Sequence, residues 1–231
     1  AQACALIGAA PVRAMDVGEV LAHGMKRPRV FLEVGAVGIA APLAVAGQGF
    51  EKGRWDAVAR FVPHALEMSP AVLGIRVDGA GSVRRVQGLL AIVANTPRAG
   101  AGLVLAPQAT VDDGLLNLRV YEEMSQPVLA THFLAVKAGT ASEDFRVRCS
   151  SGRTFEIRST TPLPVVVDSK VVGSTPARFR VLAGGLLVIA GAGDGLSHPV
   201  APSLLSAIRD GGDAPPAPAA TAQVSTAATS V

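Results

Sequence analysis

The sequence has few aromatic residues, which limits both its core and its ligands. Phe, Trp and Tyr make up 4% of the 231 residues, with one Trp and one Tyr. A surface that stacks nucleic-acid bases needs aromatic rings, so we expect no nucleic-acid partner. Val, Leu, Ile and Ala must fill the core instead. Since 49% of the residues are hydrophobic, the chain can bury a substantial core.

Cysteine and histidine are also scarce, which excludes two kinds of site. Cys4 and Cys149 are too few for a disulfide framework, and neither has the spacing of a metal ligand. The four histidines are far apart and share no motif. We therefore expect two buried, reduced thiols in a cytoplasmic protein.

The sequence has no long uninterrupted apolar run and no signal-peptide pattern. Residues 34–45 are apolar, but glycine and proline interrupt them and the run is too short to span a bilayer. The chain begins without Met, and we interpret it as a fragment of a longer protein.

The charge is only mildly basic, with 21 Lys and Arg, 18 Asp and Glu, and a net charge of +3. Its arginines are scattered along the chain. They are either solvated on strand faces or part of a surface for an anionic partner, and the pattern leaves both open. Those considered are Arg13, Arg27, Arg29, Arg84, Arg85, Arg146, Arg148, Arg158, Arg178 and Arg180.

Short alternating runs rich in β-branched residues predict a mainly β domain of antiparallel strands, packed as a two-layer sandwich. The sequence also predicts about two helices, at residues 51–68 and from Ser125, an N-cap, to about Ala138. The predicted strands are residues 30–39, 72–77, 83–94, 103–106, 116–121, 145–149, 154–159, 164–167, 177–182 and 186–190.

Two features of the sequence indicate where this domain ends. The last two predicted strands form a hairpin around Gly184 and Gly185, since paired glycines are typical of a tight turn. The composition then shifts to Gly, Ala, Pro, Ser and Thr, which cannot bury a core. We therefore assign residues 1–195 to one domain and residues 196–231 to a flexible tail.

Residues 95–120 combine features that an ordinary core strand does not need. The stretch reads NTPRAGAGLVLAPQATVDDGLLNLRV, with Gly100 and Gly102 on one side and an acidic turn at Asp112, Asp113 and Gly114 on the other. Glycines let a backbone approach its neighbours closely. The turn carboxylates can bind either the amides of their own turn or a cation, and both remain open.

Three stretches of the sequence, taken in order, resemble bacterial diacylglycerol kinase-like lipid kinases, which are relatives of sphingosine and ceramide kinases. They are MDVGEVLAHGMKRPRVFLEVGAVGIAA, residues 95–120 and VVVDSKVVGSTPARFRVLAGGLLVIA. The resemblance covers residues 14–190. It implies the C-terminal sandwich domain of the NAD kinase and diacylglycerol kinase-like fold. The N-terminal nucleotide-binding domain is absent from this chain, so we expect the chain alone to be inactive.

The family's activity is phosphoryl transfer from Mg-ATP to a lipid hydroxyl, in phospholipid metabolism. The resemblance therefore implies Mg²⁺ and ATP as cofactors, with ATP bound mainly by the other domain. The partners implied are a lipid substrate at a membrane surface and the nucleotide-binding domain, and exposed strand edges suggest a homodimer. The expected location is cytoplasmic or peripheral to the membrane.

The resemblance also implies roles for individual residues. Asp113 supplies a carboxylate to a structural magnesium ion, and Thr110 and Leu115 supply backbone carbonyls. The residues implied to line the substrate cleft are Asn95, Gly100 and Gly102.

Two departures from the family's pattern concern the chemistry. Relatives carry Asp-Gly-Glu where this chain has Asp168, Ser169 and Lys170, and the Glu is the proposed base. A protonated lysine cannot accept a proton. Asp168, the remaining acid, could partly substitute as the catalytic residue, but its expected role is to shape its turn. The acid that follows the first core strand in relatives is replaced at Ala40. These departures suggest an alternative: a degenerate lipid-binding or regulatory module without kinase activity.

A second glycine-rich segment, residues 191–195, superficially imitates a phosphate-binding loop. Such a loop should open a helix, and no helical pattern follows here. We interpret the segment as a turn that leaves the last strand.

Overall fold

The structure, a computed structural model, describes residues 11–40, 69–99, 103–138 and 144–190. These residues form twelve β-strands and one α-helix. The strands are β1 Val12–His23, β2 Arg29–Phe31, β3 Val34–Gly38, β4 Ala71–Val77, β5 Arg84–Ala94, β6 Arg98–Ala99, β7 Leu103–Val104, β8 Leu116–Glu122, β9 Val147–Gly152, β10 Thr154–Ser159, β11 Pro164–Val167 and β12 Lys170–Ile189, and the helix is α1 Gln126–Ala138.

Ten of the described strands form one antiparallel sheet in the order β10-β4-β5-β3-β11-β12-β1-β2, with β8 beside β5 and β9 beside β8. Strand β12 is 20 residues long, and it pairs with β11 and then β10 along one edge and with β1 along the other. Because β10 also begins the order, its pairing with β12 closes the sheet on itself. The remaining pair, β6 and β7, forms a small separate sheet.

The closed sheet encloses an apolar core built by simple alternation along each strand. In β10, Phe155 and Ile157 are fully buried, while Arg158 is exposed. Phe31 and Phe179 meet edge to face, with ring centroids 6.2 Å apart. A Cβ at Gly18 would lie 2.1 Å from the Phe31 ring, so this strand must carry a glycine there for the ring to pack.

A second apolar cluster lies on the other face of β3, β5 and β8. Tyr121, Met124 and Leu129 belong to it, together with Leu105 from the segment before the acidic turn. Burial raises the pKa of Tyr121 to about 12. The mainly β, antiparallel, sandwich-like architecture predicted from the sequence is confirmed.

Helix α1 covers part of this second cluster, as the sequence predicts. The Ser125 carbonyl accepts a hydrogen bond from Leu129 N at 2.9 Å, which starts the helix at the predicted residue. Leu129 is buried, Phe133 packs against the cluster, and the His132 ring lies 5.6 Å from that of Tyr121. Burial lowers the pKa of His132.

Three expectations were wrong. The hairpin at Gly184 and Gly185 is a bulge within one continuous strand, because β1 pairs with β12 on both sides of it. The strand predicted at residues 30–39 is two strands, β2 and β3, separated at Leu32 and Glu33. Cys149 is exposed rather than buried, because it lies on β9, which pairs only with β8.

Other expectations fall outside the described residues. They concern the helix at residues 51–68, Gly100 and Gly102, Cys4, the loop at residues 191–195 and the tail at residues 196–231. In the part of the chain that the structure describes, no helix is long and apolar enough to cross a membrane.

Candidate functional site

A buried carboxylate holds two turns together at one end of the sheet. Asp16, on β1, is 2% exposed. Its two oxygens accept hydrogen bonds from Gly114 N at 2.6 Å and Gly184 N at 2.7 Å, and its own N–H donates to the Val111 carbonyl at 2.7 Å. Asp16 thus joins β1, the acidic turn and the bulge in β12.

The electrostatics of Asp16 reflect competing effects. Burial raises its pKa above the ordinary value of 3.8, while the hydrogen bonds from Gly184 and Gly114 lower it. The charges of Asp113 and Asp112 raise it further. Asp16 is therefore close enough to these two carboxylates to be repelled by them, and a cation at the turn would relieve this repulsion.

The structure brings together the three residues implied as magnesium ligands. One oxygen of Asp113 accepts a hydrogen bond from Thr110 Oγ1 at 2.7 Å, and the other accepts one from Leu115 N at 2.9 Å. Both bonds stay within the turn, so the alternative that Asp113 binds its own turn is realised in this structure. A carboxylate oxygen has more than one lone pair, so these bonds are compatible with a cation.

The donor set suits magnesium only in part. Within the described ranges, no group of three or more His, Cys, Asp or Glu side chains could hold a metal ion. A site here must therefore combine the Asp113 carboxylate with backbone carbonyls and water. Magnesium accepts hard oxygen ligands of these types and usually keeps several waters, so the turn fits such an ion loosely bound.

Asn95 connects Asp16, which binds the acidic turn, to Leu32, which lies between β2 and β3. Its side-chain amide donates two hydrogen bonds of 2.9 Å, to the carbonyls of Asp16 and Leu32. Asn95 is fully buried, and its Oδ1 has no hydrogen-bond partner among the described residues. The structure therefore gives Asn95 a connecting role inside the fold, and its predicted contribution to a substrate cleft stays a prediction.

Asp168 fixes the corner between β2 and β3. Its carboxylate accepts hydrogen bonds from the backbone N–H groups of Leu32, Glu33 and Val34, at 2.8, 3.0 and 3.2 Å. Asp168 and Ser169 both have positive φ, 42° and 64°, as a two-residue hairpin turn requires. The expectation that Asp168 shapes its turn agrees with these contacts, which extend to a neighbouring corner.

Lys170 follows this turn as the first residue of β12. It is exposed and pairs in register with Val167. It lies two residues after Asp168, whose carboxylate oxygens already accept hydrogen bonds from three N–H groups. The position of the expected base therefore carries a cation at the surface.

At the other departure from the family's pattern, Ala40 packs against the second apolar cluster. Gly38 just before it has a φ of 100°, and Ile39 N donates to the Leu89 carbonyl at 3.0 Å. The backbone turn is therefore formed, and a methyl group stands where relatives carry an acid.

A cavity of about 340 Å³ adjoins the acidic turn. Asp113 lies at its edge, and Arg119 and Asn117 line it from β8. One Arg119 nitrogen donates to the Leu105 carbonyl at 2.7 Å. The cavity gives solvent and ions a path to Asp113.

Sequence reasoning missed Asp16, the centre of this arrangement. The one local signal is a lone acid between Met15 and Val17 in an apolar stretch. Its partner Gly184 lies 168 residues away, so spacing could not reveal the contact.

Comparison with known proteins shows that this chain matches a family. Residues 50–190, more than half of the chain, match the family described as the YegS C-terminal NAD kinase beta sandwich-like domain. A curated protein of Stenotrophomonas maltophilia strain K279a, "Probable lipid kinase YegS-like", is 35% identical over 94 residues, which cover 40% of this chain and 30% of that protein.

Solved structures agree on the fold. A putative diacylglycerol kinase from Bacillus anthracis strain Sterne is 18% identical, with a TM-score of 0.57 over 78% of this chain and 58% of its own. A diacylglycerol kinase from the same strain is 17% identical, with a TM-score of 0.54 over 78% of this chain and 55% of its own. The chain thus spans less than two thirds of these relatives.

We predict that Asp16→Ala destabilises the protein by about 2–4 kcal/mol, because the N–H groups of buried Gly114 and of Gly184 lose their acceptor and a cavity remains. The folded pKa of Asp16 lies above its unfolded value, so its contribution to stability falls as pH rises from about 3.8 through the folded pKa. The loss should therefore be larger near pH 4 than near pH 8. Urea unfolding across this range measures it, with Lys170→Ala, which changes an exposed side chain, as a control. Equal losses in both variants would contradict the role of Asp16.

We also predict that Asp168→Ala lowers the free energy of unfolding by about 1–3 kcal/mol, because three N–H groups of the β2–β3 corner lose their acceptor. Lys170→Ala should change it by less than about 0.5 kcal/mol, since that side chain is exposed. Chemical denaturation of both variants tests this. Similar values for the two would mean that Asp168 does not hold the corner.

Proposed function

The chain belongs to the bacterial diacylglycerol kinase-like lipid kinases, as their C-terminal sandwich-like domain, and we propose that it forms one wall of a lipid kinase cleft. Joined to a nucleotide-binding domain, it takes part in phosphoryl transfer from ATP to a lipid hydroxyl. The observation that carries the proposal is the acidic turn at Thr110, Asp113 and Leu115, formed within a chain that matches this family.

The reaction requires positioning of the phosphates, compensation of their charge and removal of a proton from the lipid hydroxyl. The nucleotide-binding domain supplies the ATP site, and Mg²⁺ supplies charge compensation when bound there. In this chain, the hydrogen bonds of Asp16 and Asn95 hold the acidic turn and the β2–β3 corner in a fixed relation. We assign a second Mg²⁺ to Asp113, Thr110 and Leu115, where it stabilises the turn.

The lipid substrate implies contact with a membrane surface, so we place the protein in the cytoplasm at the membrane periphery. Its required partner is the nucleotide-binding domain, and a homodimer would use exposed strand edges. Gly100 and Gly102 are proposed to line the cleft.

A specific observation favours a second candidate, a lipid-binding or regulatory module without kinase activity. Lys170 is exposed at the position of the expected base, and Asp168 is engaged by three backbone N–H groups. Ala40 adds a second missing acid. Phosphoryl transfer by this protein would then need a proton acceptor at a position other than residues 40 and 170.

We predict that the protein carrying this chain with its nucleotide-binding domain phosphorylates diacylglycerol slowly. Lys170→Glu should raise kcat by at least about tenfold, because general-base catalysis contributes that much or more. Transfer of labelled phosphate from ATP measures it, with Lys170→Gln as the control that removes the cation without adding a base. If the natural protein is active and Lys170→Glu does not raise kcat, then Lys170 does not impair catalysis. If the natural protein and both variants are inactive, the result favours the regulatory module.

We predict that Mg²⁺ raises the thermal stability of this protein and that Asp113→Ala abolishes the rise. A ligand that binds only the folded state stabilises it, by about 2.7 kcal/mol at one hundred times its dissociation constant. Differential scanning fluorimetry with and without Mg²⁺ measures the shift in Tm. Asp112→Ala removes the same charge from the same turn and should keep the response. An unchanged response in Asp113→Ala would remove it from the ligand set.

A further inference from the structure

The strand register gathers distant arginines on one outer face of the closed sheet. In β10 and β12 the inward positions are Phe155, Ile157, Ala177 and Phe179, all buried, so the residues between them point outward. We call this outward surface of β1, β2, β4, β5, β10 and β12 the basic face. Its charged and apolar members are Glu19, Leu21, Val30, Val72, Arg76, Arg85, Glu156, Arg158, Arg178 and Arg180.

The pairings place these residues in neighbouring rows. Arg158 lies opposite Gly74, which lies opposite Arg85 on the next strand. Glu156 lies between Arg178 and Arg76. Residues more than a hundred positions apart in the sequence therefore form one continuous surface.

The charge of this face is unbalanced. Arg180 pairs with Glu19 at 2.5 Å and Arg76 with Glu156 at 3.2 Å. Five arginines and two glutamates leave a formal charge of +3, which equals that of the whole chain. The basic face therefore carries a net positive charge of its own.

Apolar side chains are exposed on the same face. Val30 is 60% exposed, Leu21 is 43% exposed and Val72 is 39% exposed. Exposed Lys26 and Arg27 follow β1 at the rim. Arginines interspersed with exposed aliphatic side chains suit an interface whose outer layer is anionic and whose interior is apolar.

We propose that the basic face docks the protein on an anionic phospholipid membrane. The proposal deepens the proposed function, on which it rests, by naming the surface that presents this domain to a lipid substrate. A nucleic-acid partner fits less well, since the face carries no aromatic ring on which a base could stack.

The test is sedimentation of the full 231-residue chain with vesicles, without ATP, at low ionic strength. The vesicles contain phosphatidylcholine alone or with about 30% phosphatidylglycerol, because each basic residue near an anionic surface strengthens binding roughly fivefold. Binding should require phosphatidylglycerol. The triple variant Arg85→Gln, Arg158→Gln, Arg178→Gln should bind roughly a hundredfold more weakly.

The matched control is Arg84→Gln, Arg146→Gln, Arg148→Gln, which removes the same charge from the region of Glu122 and Asp144. It should change vesicle binding by no more than about fivefold. Circular dichroism establishes that both variants fold, and if the first does not, the single variant Arg158→Gln, expected to lose about fivefold, replaces it.

Three results would overturn the proposal: no binding to anionic vesicles, equal binding to phosphatidylcholine alone, or equal losses in the two triple variants. Stronger binding of the natural chain to duplex DNA than to the vesicles would also overturn it. Since this assay uses no ATP, a failure of phosphoryl transfer leaves its outcome intact. Conversely, if the protein phosphorylates diacylglycerol in detergent micelles while the chain does not bind vesicles, that result would support the proposed function and rule out the basic face as a membrane-binding surface.

Discussion

The arrangement of this domain depends on a carboxylate that is buried although burial disfavours its charge. Asp16 exchanges water for the N–H groups of Gly114 and Gly184, one in the acidic turn and one in the bulge of β12. Without Asp16, the N–H group of Gly114 would be buried without an acceptor, which costs free energy comparable to a lost hydrogen bond. The carboxylate therefore determines where both glycine turns lie, and no apolar side chain of similar size could do so.

From this point a chain of polar contacts crosses the end of the sheet. Asn95 connects the carbonyls of Asp16 and Leu32, and Leu32 N binds Asp168. Acids that bind backbone N–H groups are present along this path, whereas Lys170 and Ala40 stand where the resemblance implies acids with a chemical role. The acids that hold the backbone are therefore not the positions expected to do chemistry, which is why the fold alone does not establish activity.

The local elements of this fold could be predicted from the sequence, because strands such as Thr154–Ser159 and Pro164–Val167 and the helix after Ser125 carry their own periodicity. Long-range pairing could not. The pair Gly184 and Gly185 indicates a turn when considered alone, but β1 pairs on both sides of it and Asp16 binds Gly184 N. The acidic turn at Asp113 could be predicted from its residues, whereas the Asp16 carboxylate binds Gly114 and Gly184, which are 98 and 168 residues away.

The pairing of β1 with β12 also relates the acidic turn to the basic face. Asp16 and Glu19 lie three residues apart on β1, the first bound to Gly184 of β12 and the second paired with Arg180 of the same strand. The two strands pair from Val12 to His23, so this relation rests on a ladder of backbone hydrogen bonds rather than on a loop. A membrane bound at the basic face would therefore lie at a fixed distance from the acidic turn, because strand pairing rather than a loop sets that distance.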